Sequence, residues 1–312
     1  MKTFVGLGEV LFDVFEDGTA TLGGAPLNVA VHAHQLASAL GMGQGVVVSR
    51  VGNDPPGRAI LDSLADRGMS TGYVQLDSSH PTGAVSVFMH GPEPGYQIDS
   101  EVAWDFLEST EPLDELAARC DAVCFGSLAQ RSPASRTAIQ RFLSRAPNAV
   151  RLYDVNLRCN TRTKELGYSA EIIAESCKLA SVIKVNCGEL LELCRLFDIP
   201  QDHDDLRQTA GGFLRHFPAQ ALVVTRGPEG AKLFTQEGEF AGHAPPAPLL
   251  TVYPVGAGDA SSAGILFATV FGRHPDDAID LANRMGTWVA SQLSATPSLP
   301  DSVVEFARQV GK

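Results

Sequence analysis

The sequence Val255-Gly256-Ala257-Gly258-Asp259-Ala260 leaves the backbone almost bare at the start of a helical pattern that runs to Phe271. Backbone N–H groups at a helix N-terminus bind anions when no side chain covers them. Asp259 puts a carboxylate in that place, where it would repel a phosphate unless the chemistry needs a base for an attacking hydroxyl. The motif therefore indicates a phosphotransferase. A structural interpretation is also open, because Asp in a first helical turn is favoured by the helix dipole.

Around this motif, short apolar runs alternate with segments of helical period. Runs rich in Val, Leu and Ile predict strands buried on both faces, at residues 4–7, 46–51, 122–125, 150–154, 182–185 and 222–225. Helices are predicted at residues 27–40, 57–67, 135–144, 170–179, 189–197, 206–217, 260–271, 278–294 and 303–309. This order predicts an α/β fold of three layers, with a mostly parallel sheet covered by helices on both faces.

Two segments break the alternation. Residues 10–22 and 82–98 have the pattern of extended chain, with turns at 16–18 and 91–95. Because both follow early strands of the core, we predict that they meet as a small β-sheet lid over one end of it. No linker or repeat divides the chain, which predicts a single domain over residues 1–312.

Composition narrows the class of protein. The net charge of −12 argues against nucleic acid and anionic membrane as partners. No apolar stretch approaches the roughly 20 residues that a membrane span needs, and no secretory signal opens the sequence. Six dispersed cysteines form no CxxC pair, which indicates reduced thiols. The expected location is the cytoplasm.

A second glycine motif closes the first predicted strand. Gly6-Leu7-Gly8-Glu9 suggests a dinucleotide-binding turn, but Leu11 stands at the third glycine position and residues 12–15 alternate like a strand. A dinucleotide fingerprint has to enter a helix there. The sequence therefore disfavours a nicotinamide-dependent oxidoreductase.

A third motif, Gly23-Gly24-Ala25-Pro26-Leu27-Asn28-Val29-Ala30, opens the first predicted helix. Proline is tolerated in a first helical turn. The amide of Asn28, beside exposed glycine backbone, can donate and accept hydrogen bonds to a polyol. An asparagine that only caps the helix is an equally good interpretation of this motif alone.

Together, the early Gly-Gly-x-x-x-Asn element and the late Gly-Ala-Gly-Asp element resemble the PfkB (ribokinase-like) carbohydrate kinases. Other elements follow in that family's order, each after a predicted strand: residues 126–127, 154–158, 186–189 and 225–230, with residues 291–300 similar to its closing segment. Within the family, residues 8–13 and 23–30 are most similar to bacterial fructokinases. The resemblance implies transfer of the γ-phosphate of ATP to a sugar hydroxyl, with fructose as the expected substrate and fructose 6-phosphate as the product.

The resemblance also implies roles for individual residues. Asp259 is the expected base and Gly256, Ala257 and Gly258 the expected anion hole. Sugar hydroxyls are expected at Asp13, Gly24 and Asn28, with Arg158 also reaching the substrate. The nucleotide is expected at Thr225, Gly227, Gly230 and Asn283, and Mg²⁺ at Asn186 and Glu189 through water.

Structural interpretations remain open for several of these residues. Asn186 and Glu189 also have the spacing of a helix cap. Asp154 and Arg158 have the spacing of a plain i, i+4 ion pair. The motif Thr225-x-Gly-x-x-Gly is also compatible with a turn between two strands.

Two departures from the family pattern carry predictions. Tyr253-Pro254-Val255 stands where the family usually has Asp-Thr-x, whose Asp helps to hold a monovalent cation. Tyrosine is a poor replacement for that ligand, so we predict weak or absent activation by K⁺. Residues 96–104 lack an arginine that several sugar-acid kinases have there, which disfavours 2-keto-3-deoxygluconate, although Arg158 can compensate.

Other functions stay open at this point. The chain can be a kinase for another sugar, a sugar acid or a nucleoside, or a non-catalytic sensor of sugar or nucleotide on the same fold. A sensor has no need of Asp259 as a base, which favours the enzyme. A homodimer formed through the lids is possible by the resemblance.

Overall fold

The computed structural model describes residues 1–90, 93–158, 168–202, 204–241 and 255–309. Its strands, in chain order, are β1 (Lys2–Leu7), β2 (Leu11–Phe15), β3 (Ala20–Gly23), β4 (Gly43–Gly52), β5 (Val74–Asp77), β6 (Gly83–His90), β7 (Glu93–Ile98), β8 (Ala122–Phe125), β9 (Val150–Asp154), β10 (Val182–Asn186), β11 (Ala221–Thr225), β12 (Ala231–Phe234) and β13 (Glu239–Ala241).

The α-helices within those ranges are α1 (Ala25–Ala39), α2 (Pro55–Asp66), α3 (Glu111–Arg119), α4 (Pro133–Arg145), α5 (Ala170–Leu179), α6 (Cys187–Leu196), α7 (Leu206–His216), α8 (Ala257–Val270), α9 (Pro275–Ala290) and α10 (Asp301–Gln309). None of these helices is long and apolar enough to cross a membrane.

One large sheet organises the described chain, in the order β13-β12-β11-β10-β9-β8-β1-β4-β5. From β11 to β5 every neighbouring pair is parallel, whereas β12 and β13 run antiparallel at one edge. The carboxyl ends of the parallel strands therefore lie along one edge of the sheet, where open α/β sheets bind ligands.

Helices cover both faces of this sheet. Since successive side chains of a strand point to opposite faces, Val123 and Phe125 of β8 pack in the core that includes α4 to α7, while Ala122 and Cys124 pack in the core that includes α1, α8 and α9. The apolar run of β8 is continuous because both of its faces are buried. The predicted three-layer α/β fold with a mostly parallel sheet is confirmed.

Helix α8 lies inside its layer rather than on the surface. Its residues 260–268 are all buried, and it packs against both α1 and α9. Gly264 permits the approach to α9, since a Cβ there would lie 3.0 Å from the Cα of Ala282. A helix held on several sides is a rigid support for the motif at its N-terminus.

The two predicted insertions form a second, four-stranded sheet in the order β3-β2-β6-β7. Each insertion is an antiparallel pair, and the two pairs join through parallel strands β2 and β6. The predicted small sheet is therefore present. Residues 91–92 of the predicted turn lie outside the described residues.

The six strands and nine helices predicted from the sequence are all present, with ends shifted by a few residues. Among the described strands and α-helices, four were not predicted: α3, the short edge strand β5, and the antiparallel strands β12 and β13. The strands among them have four, four and three residues, too few for a clear periodicity.

Candidate active site

A cavity of about 790 Å³ opens between the end of β1, the four-stranded sheet and the start of α8. Its apolar wall comes largely from the strands of that small sheet and their surroundings, including Leu11, Phe15, Val85, Val87, Ile98 and Leu128. Its polar wall holds most of the predicted sugar-binding and catalytic side chains, namely Asp13, Asn28, Arg158 and Asp259. Residues far apart in the chain thus line one cavity, as the sequence predicted.

The N-terminus of α8 has the bare backbone expected of an anion site. Gly256 is the N-cap residue with φ 83°, and no side chain caps the helix. A Cβ on Gly256 would lie 2.6 Å from the backbone oxygen of Ala295, so both conformation and space require glycine. Gly256 and Gly258 also line the cavity. The first N–H groups of a helix have no partner inside it, and here they lie next to Asp259.

Asp259 is directly connected to the sugar-binding motif. The Nδ2 atom of Asn28 donates a 2.8 Å hydrogen bond to Oδ2 of Asp259. Burial raises the pKa of Asp259 to about 6 and Asp154 adds to this, while Asn28, Lys184 and Arg158 act in the opposite direction. A carboxylate with this pKa is ionised at neutral pH and is a better proton acceptor than an exposed aspartate.

The other two predicted sugar-binding positions, Asp13 and Gly24, also line the cavity. Gly24 has φ 107°, and a Cβ there would lie 2.5 Å from the backbone oxygen of Glu9. Burial raises the pKa of Asp13 to about 6, against an opposing effect of Arg158. Arg158 is exposed and lines the cavity.

Glu9 belongs to this site although the sequence analysis assigned it no role. It follows β1, is 3% exposed and lines the cavity. Its pKa is raised to about 7 by burial, against the effects of its own backbone N–H and of Arg158. The available signal was a charged residue directly after an apolar strand, at the sheet edge where ligands bind.

A buried ion pair lies beneath the N-terminus of α8. The Nζ atom of Lys184 donates to Oδ2 of Asp154 at 2.8 Å, and Oγ of Ser262 donates to the same oxygen at 2.9 Å. Nζ of Lys184 is also 3.4 Å from the position of a Cβ on Gly258. The suggested ion pair of Asp154 with Arg158 is therefore wrong, because Asp154 pairs with Lys184 on the neighbouring strand.

Asn186 and Glu189 form a capping box at the start of α6. Oδ1 of Asn186 accepts from the backbone N–H of Glu189 at 2.8 Å, and Oε2 of Glu189 accepts from that of Asn186 at 2.8 Å. Oε1 of Glu189 also accepts from the backbone N–H of Leu157 at 2.9 Å. The interpretation of Asn186 and Glu189 as a helix cap is therefore confirmed.

The capping box still leaves room for a hydrated metal ion. A carboxylate oxygen has a second lone pair after one N–H contact, so Glu189 can also accept from metal-bound water. Among the described residues no group of three His, Cys, Asp or Glu side chains has the arrangement of a metal site. The donor set of one carboxylate and one amide is compatible with a hydrated Mg²⁺, which keeps several waters and takes few protein ligands.

The residues predicted to bind nucleotide lie along the next strands of the sheet. Asn186 at the end of β10 is paired in register with Thr225 at the end of β11. Gly227 and Gly230 follow with φ of 56° and 78°, in a turn that leads into antiparallel β12. A Cβ on Gly230 would lie 2.9 Å from Nδ2 of Asn283, so the structure brings these two residues together.

The predicted residues thus fall into two neighbouring groups. The sugar group and Asp259 line the cavity, and the nucleotide group lies beyond it toward β11 and β12. Tyr253 and Pro254, on which the prediction about K⁺ rests, lie outside the described residues.

Comparison with known proteins agrees with this geometry. The pattern of the pfkB family carbohydrate kinases matches residues 14–302. The chain belongs to this family and is a sugar kinase of the PfkB type.

Individual relatives differ in the substrate that their names state. A fructokinase of Klebsiella pneumoniae is 29% identical over 284 residues, covering 88% of this chain and 87% of the relative. An aminoimidazole riboside kinase of Salmonella typhimurium is 28% identical over 288 residues, covering 89% and 84%. A solved fructokinase of Xylella fastidiosa superposes with a TM-score of 0.80 at 21% identity over 99% of both chains, which shows the shared fold.

Proposed function

We propose that this protein transfers the γ-phosphoryl group of ATP to a hydroxyl of a neutral sugar, with D-fructose as the first candidate. The observation that carries the proposal is the 2.8 Å hydrogen bond between Asn28 and Asp259. It joins a side chain suited to binding a polyol to a carboxylate at a helix N-terminus suited to binding phosphate. The family membership and the fructokinases among the relatives also support it.

In this proposal Asp259 accepts the proton of the attacking hydroxyl. Phosphoryl transfer has a loose transition state that depends mainly on positioning and charge stabilisation, so a base with a pKa near 6 suffices. The N–H groups at the start of α8 stabilise the charge on the transferred group. Mg²⁺, when bound through water at Asn186 and Glu189, would neutralise phosphate charge.

The small sheet acts as the lid in the proposal. Its apolar side chains, among them Phe15, Val85 and Val87, line the cavity together with the start of α8. Covering the sugar with them excludes water, which would otherwise accept the phosphoryl group in place of the sugar.

The test is a coupled ADP-release assay with D-fructose, D-ribose, D-tagatose, 2-keto-3-deoxygluconate and adenosine. Asp259→Asn keeps the size of the side chain and removes the base. We expect it to lose about 10²-fold or more in turnover while keeping most of its sugar affinity. Asp62→Asn, an exposed carboxylate on α2, is the matched control. Near-wild-type turnover by Asp259→Asn overturns the assignment of the base.

A second candidate substrate class, the nucleosides, is favoured by the apolar wall of the cavity. Side chains such as Phe15, Val87 and Leu128 offer more apolar surface than a small polyol needs and suit the packing of a planar base. The riboside kinase among the relatives points the same way. Adenosine and aminoimidazole riboside in the same assay decide between the classes by their kcat/KM relative to D-fructose.

A further inference from the structure

One carboxyl oxygen of Glu9, Oε2, is buried without a hydrogen-bond partner within the described ranges, and the residue lies in the wall of the cavity. The residue is 3% exposed, and its Oε2 atom receives no hydrogen bond from any residue in the described part of the chain. Buried acceptors in folded proteins are nearly always paired, and each exception asks for an explanation. Because Glu9 lines the cavity, a molecule bound there is the available donor.

The neighbouring arginines do not supply that donor. Arg131 lies near enough to affect the pKa of Glu9, but its guanidinium donates to Asp105 at 2.8 and 2.7 Å. It also lies over the ring of Trp104, at 4.1 Å from the ring centroid. Arg158 is exposed, and none of the ion pairs among the described residues includes Glu9. No internal cation of the described chain is therefore paired with Oε2, and the residue that carries it lines the cavity.

We propose that Glu9 accepts a hydrogen bond from a substrate hydroxyl and, by its charge, favours neutral sugars over sugar acids. This inference rests on the proposed function, since it names a further contact of the same substrate. It adds a third polar contact to those of Asp13 and Asn28.

The position of Glu9 is fixed before any substrate binds. Its backbone oxygen lies 2.5 Å from where a Cβ on Gly24 would be, so the end of β1 and the start of α1 touch. A side chain held on such a backbone loses little freedom when it meets a ligand. A substrate that lacks the matching hydroxyl leaves the buried acceptor unpaired, and such sites discriminate strongly against it.

The charges around the cavity give the preference for neutral sugars. Glu9, Asp13 and Asp259 contribute three carboxyl groups whose pKa is raised, Glu16 and Asp17 contribute two more, and Arg158 contributes a cation. A carboxylate on the substrate would meet like charges at short range in a poorly solvated cavity. The repulsion of a substrate carboxylate is largest when Glu9, Asp13 and Asp259 are all ionised. Because the pKa of Glu9 is raised to about 7, this condition is met above neutral pH.

Two substitutions separate the two parts of the proposal. Glu9→Leu removes both the acceptor and the charge, whereas Glu9→Gln keeps an acceptor oxygen and removes the charge. Glu115→Gln, at an exposed position of α3, is the control for the change in net charge. The probes are D-fructose, its 1-deoxy, 3-deoxy and 4-deoxy analogues, 2,5-anhydro-D-mannitol and 2-keto-3-deoxygluconate, assayed with ATP at pH 8.5.

We expect Glu9→Leu to lower kcat/KM for D-fructose by about tenfold or more, mainly through KM, because a buried hydrogen bond to a charged acceptor is lost. For the one analogue that lacks the bonded hydroxyl, the wild type and Glu9→Leu should have equal kcat/KM. Glu9→Gln should raise the ratio of kcat/KM for 2-keto-3-deoxygluconate to that for D-fructose, and Glu115→Gln should leave it unchanged.

Equal losses by Glu9→Leu on D-fructose and on every analogue overturn the hydroxyl contact and leave Glu9 a purely structural residue. If Glu9→Gln leaves the ratio of kcat/KM for 2-keto-3-deoxygluconate to that for D-fructose unchanged, the role of the charge is overturned. This measurement also tests the proposal if Glu9→Leu fails to fold. Wild-type turnover is measured first. If the wild type turns over none of these probes, the proposed function and the inference are both overturned. If the wild type is active but Glu9→Leu loses equally on every probe, or Glu9→Gln leaves the ratio unchanged, only the inference is overturned.

Discussion

Asn28 and Asp259 are 231 residues apart in the chain, yet Nδ2 of one donates to Oδ2 of the other at 2.8 Å. Helices α1 and α8, which carry them, pack against each other. The contact therefore depends on the packing of two helices and on no local feature of either motif. It also lowers the proton affinity of the proposed base, against the larger effect of burial, because a hydrogen bond to the charged form of a carboxyl lowers its pKa.

The first prediction concerns the pH dependence of the reaction. Because Asp259 has to be ionised to accept a proton, kcat/KM should fall about tenfold per pH unit below its pKa near 6. Asn28→Ala removes a hydrogen bond that lowers this pKa, so its acid limb should move to higher pH. Gln35→Ala, also on α1 but bonded to Pro297 instead, is the control. An acid limb at the same pH in Asn28→Ala contradicts the prediction.

The raised pKa of Asp259 also predicts an effect on stability. A carboxyl whose pKa is higher in the folded state contributes stability below its unfolded pKa and loses it as pH rises through the folded value. For Asp259 this interval runs from 3.8 to about 6. Asp259→Asn should therefore have a higher urea midpoint than the wild type at pH 8, and the difference should shrink at pH 4. A lower midpoint at pH 8 argues against the assigned burial of the charge.

The order of elements, and the residues that line the cavity together, were accessible from the sequence because they depend on local patterns. Continuous apolar runs marked the parallel strands, and glycines marked places where the backbone lines the cavity, as at Gly24 and Gly256. In parallel sheets the strand ends fall on one edge, so the candidate residues had to be neighbours.

The partners of buried charges were not accessible in the same way. Asp154 pairs with Lys184 because β9 and β10 are adjacent and in register, which is a property of the sheet order. The spacing of Asp154 and Arg158 suggested a helix pair, but this segment is not helical, and Asn156 has φ 40°. The signal for Lys184 was a lysine inside an otherwise apolar strand.

The pair of Lys184 and Asp154 gives a third prediction. Their side chains are 5% and 7% exposed. Burial alone would lower the pKa of Lys184, but contact with Asp154 raises it above its ordinary value. Lys184→Met leaves a buried carboxylate unpaired and should cost about 3–5 kcal/mol of unfolding free energy in urea titrations. Adding Asp154→Asn should recover part of this loss.

The control for that experiment is an exposed pair elsewhere. Lys178 and Glu175 lie at 2.7 Å on α5, with side chains 63% and 45% exposed. Lys178→Met should cost at most about 1 kcal/mol, as exposed pairs do. Equal losses of unfolding free energy in Lys184→Met and Lys178→Met would contradict a buried ion pair beneath the N-terminus of α8.

The glycines at the two ends of α8 give a fourth prediction. Gly256 and Gly272 both have positive φ, of 83° and 64°, but a Cβ meets the backbone oxygen of Ala295 at 2.6 Å only at Gly256. Gly272→Ala should cost about 1–2 kcal/mol of stability from backbone strain. Gly256→Ala should cost more and should also lower kcat, because α8 or the chain at Ala295 has to move. Equal urea midpoints for the two variants would mean that the helix start adjusts freely.

The last prediction concerns the monovalent cation. Tyr253 and Pro254 precede the proposed anion site in the sequence and stand where the family usually has Asp-Thr, so we expect no carboxylate ligand for K⁺ from this position. A cation behind the N-terminus of a helix strengthens its positive end only if oxygen ligands hold it there. We therefore expect the same kcat in NaCl and in KCl at equal ionic strength. Tyr253→Asp together with Pro254→Thr restores the usual residues and should introduce a dependence on K⁺. A rate in the wild type that rises several-fold when K⁺ replaces Na⁺ would show that other oxygen atoms hold the ion.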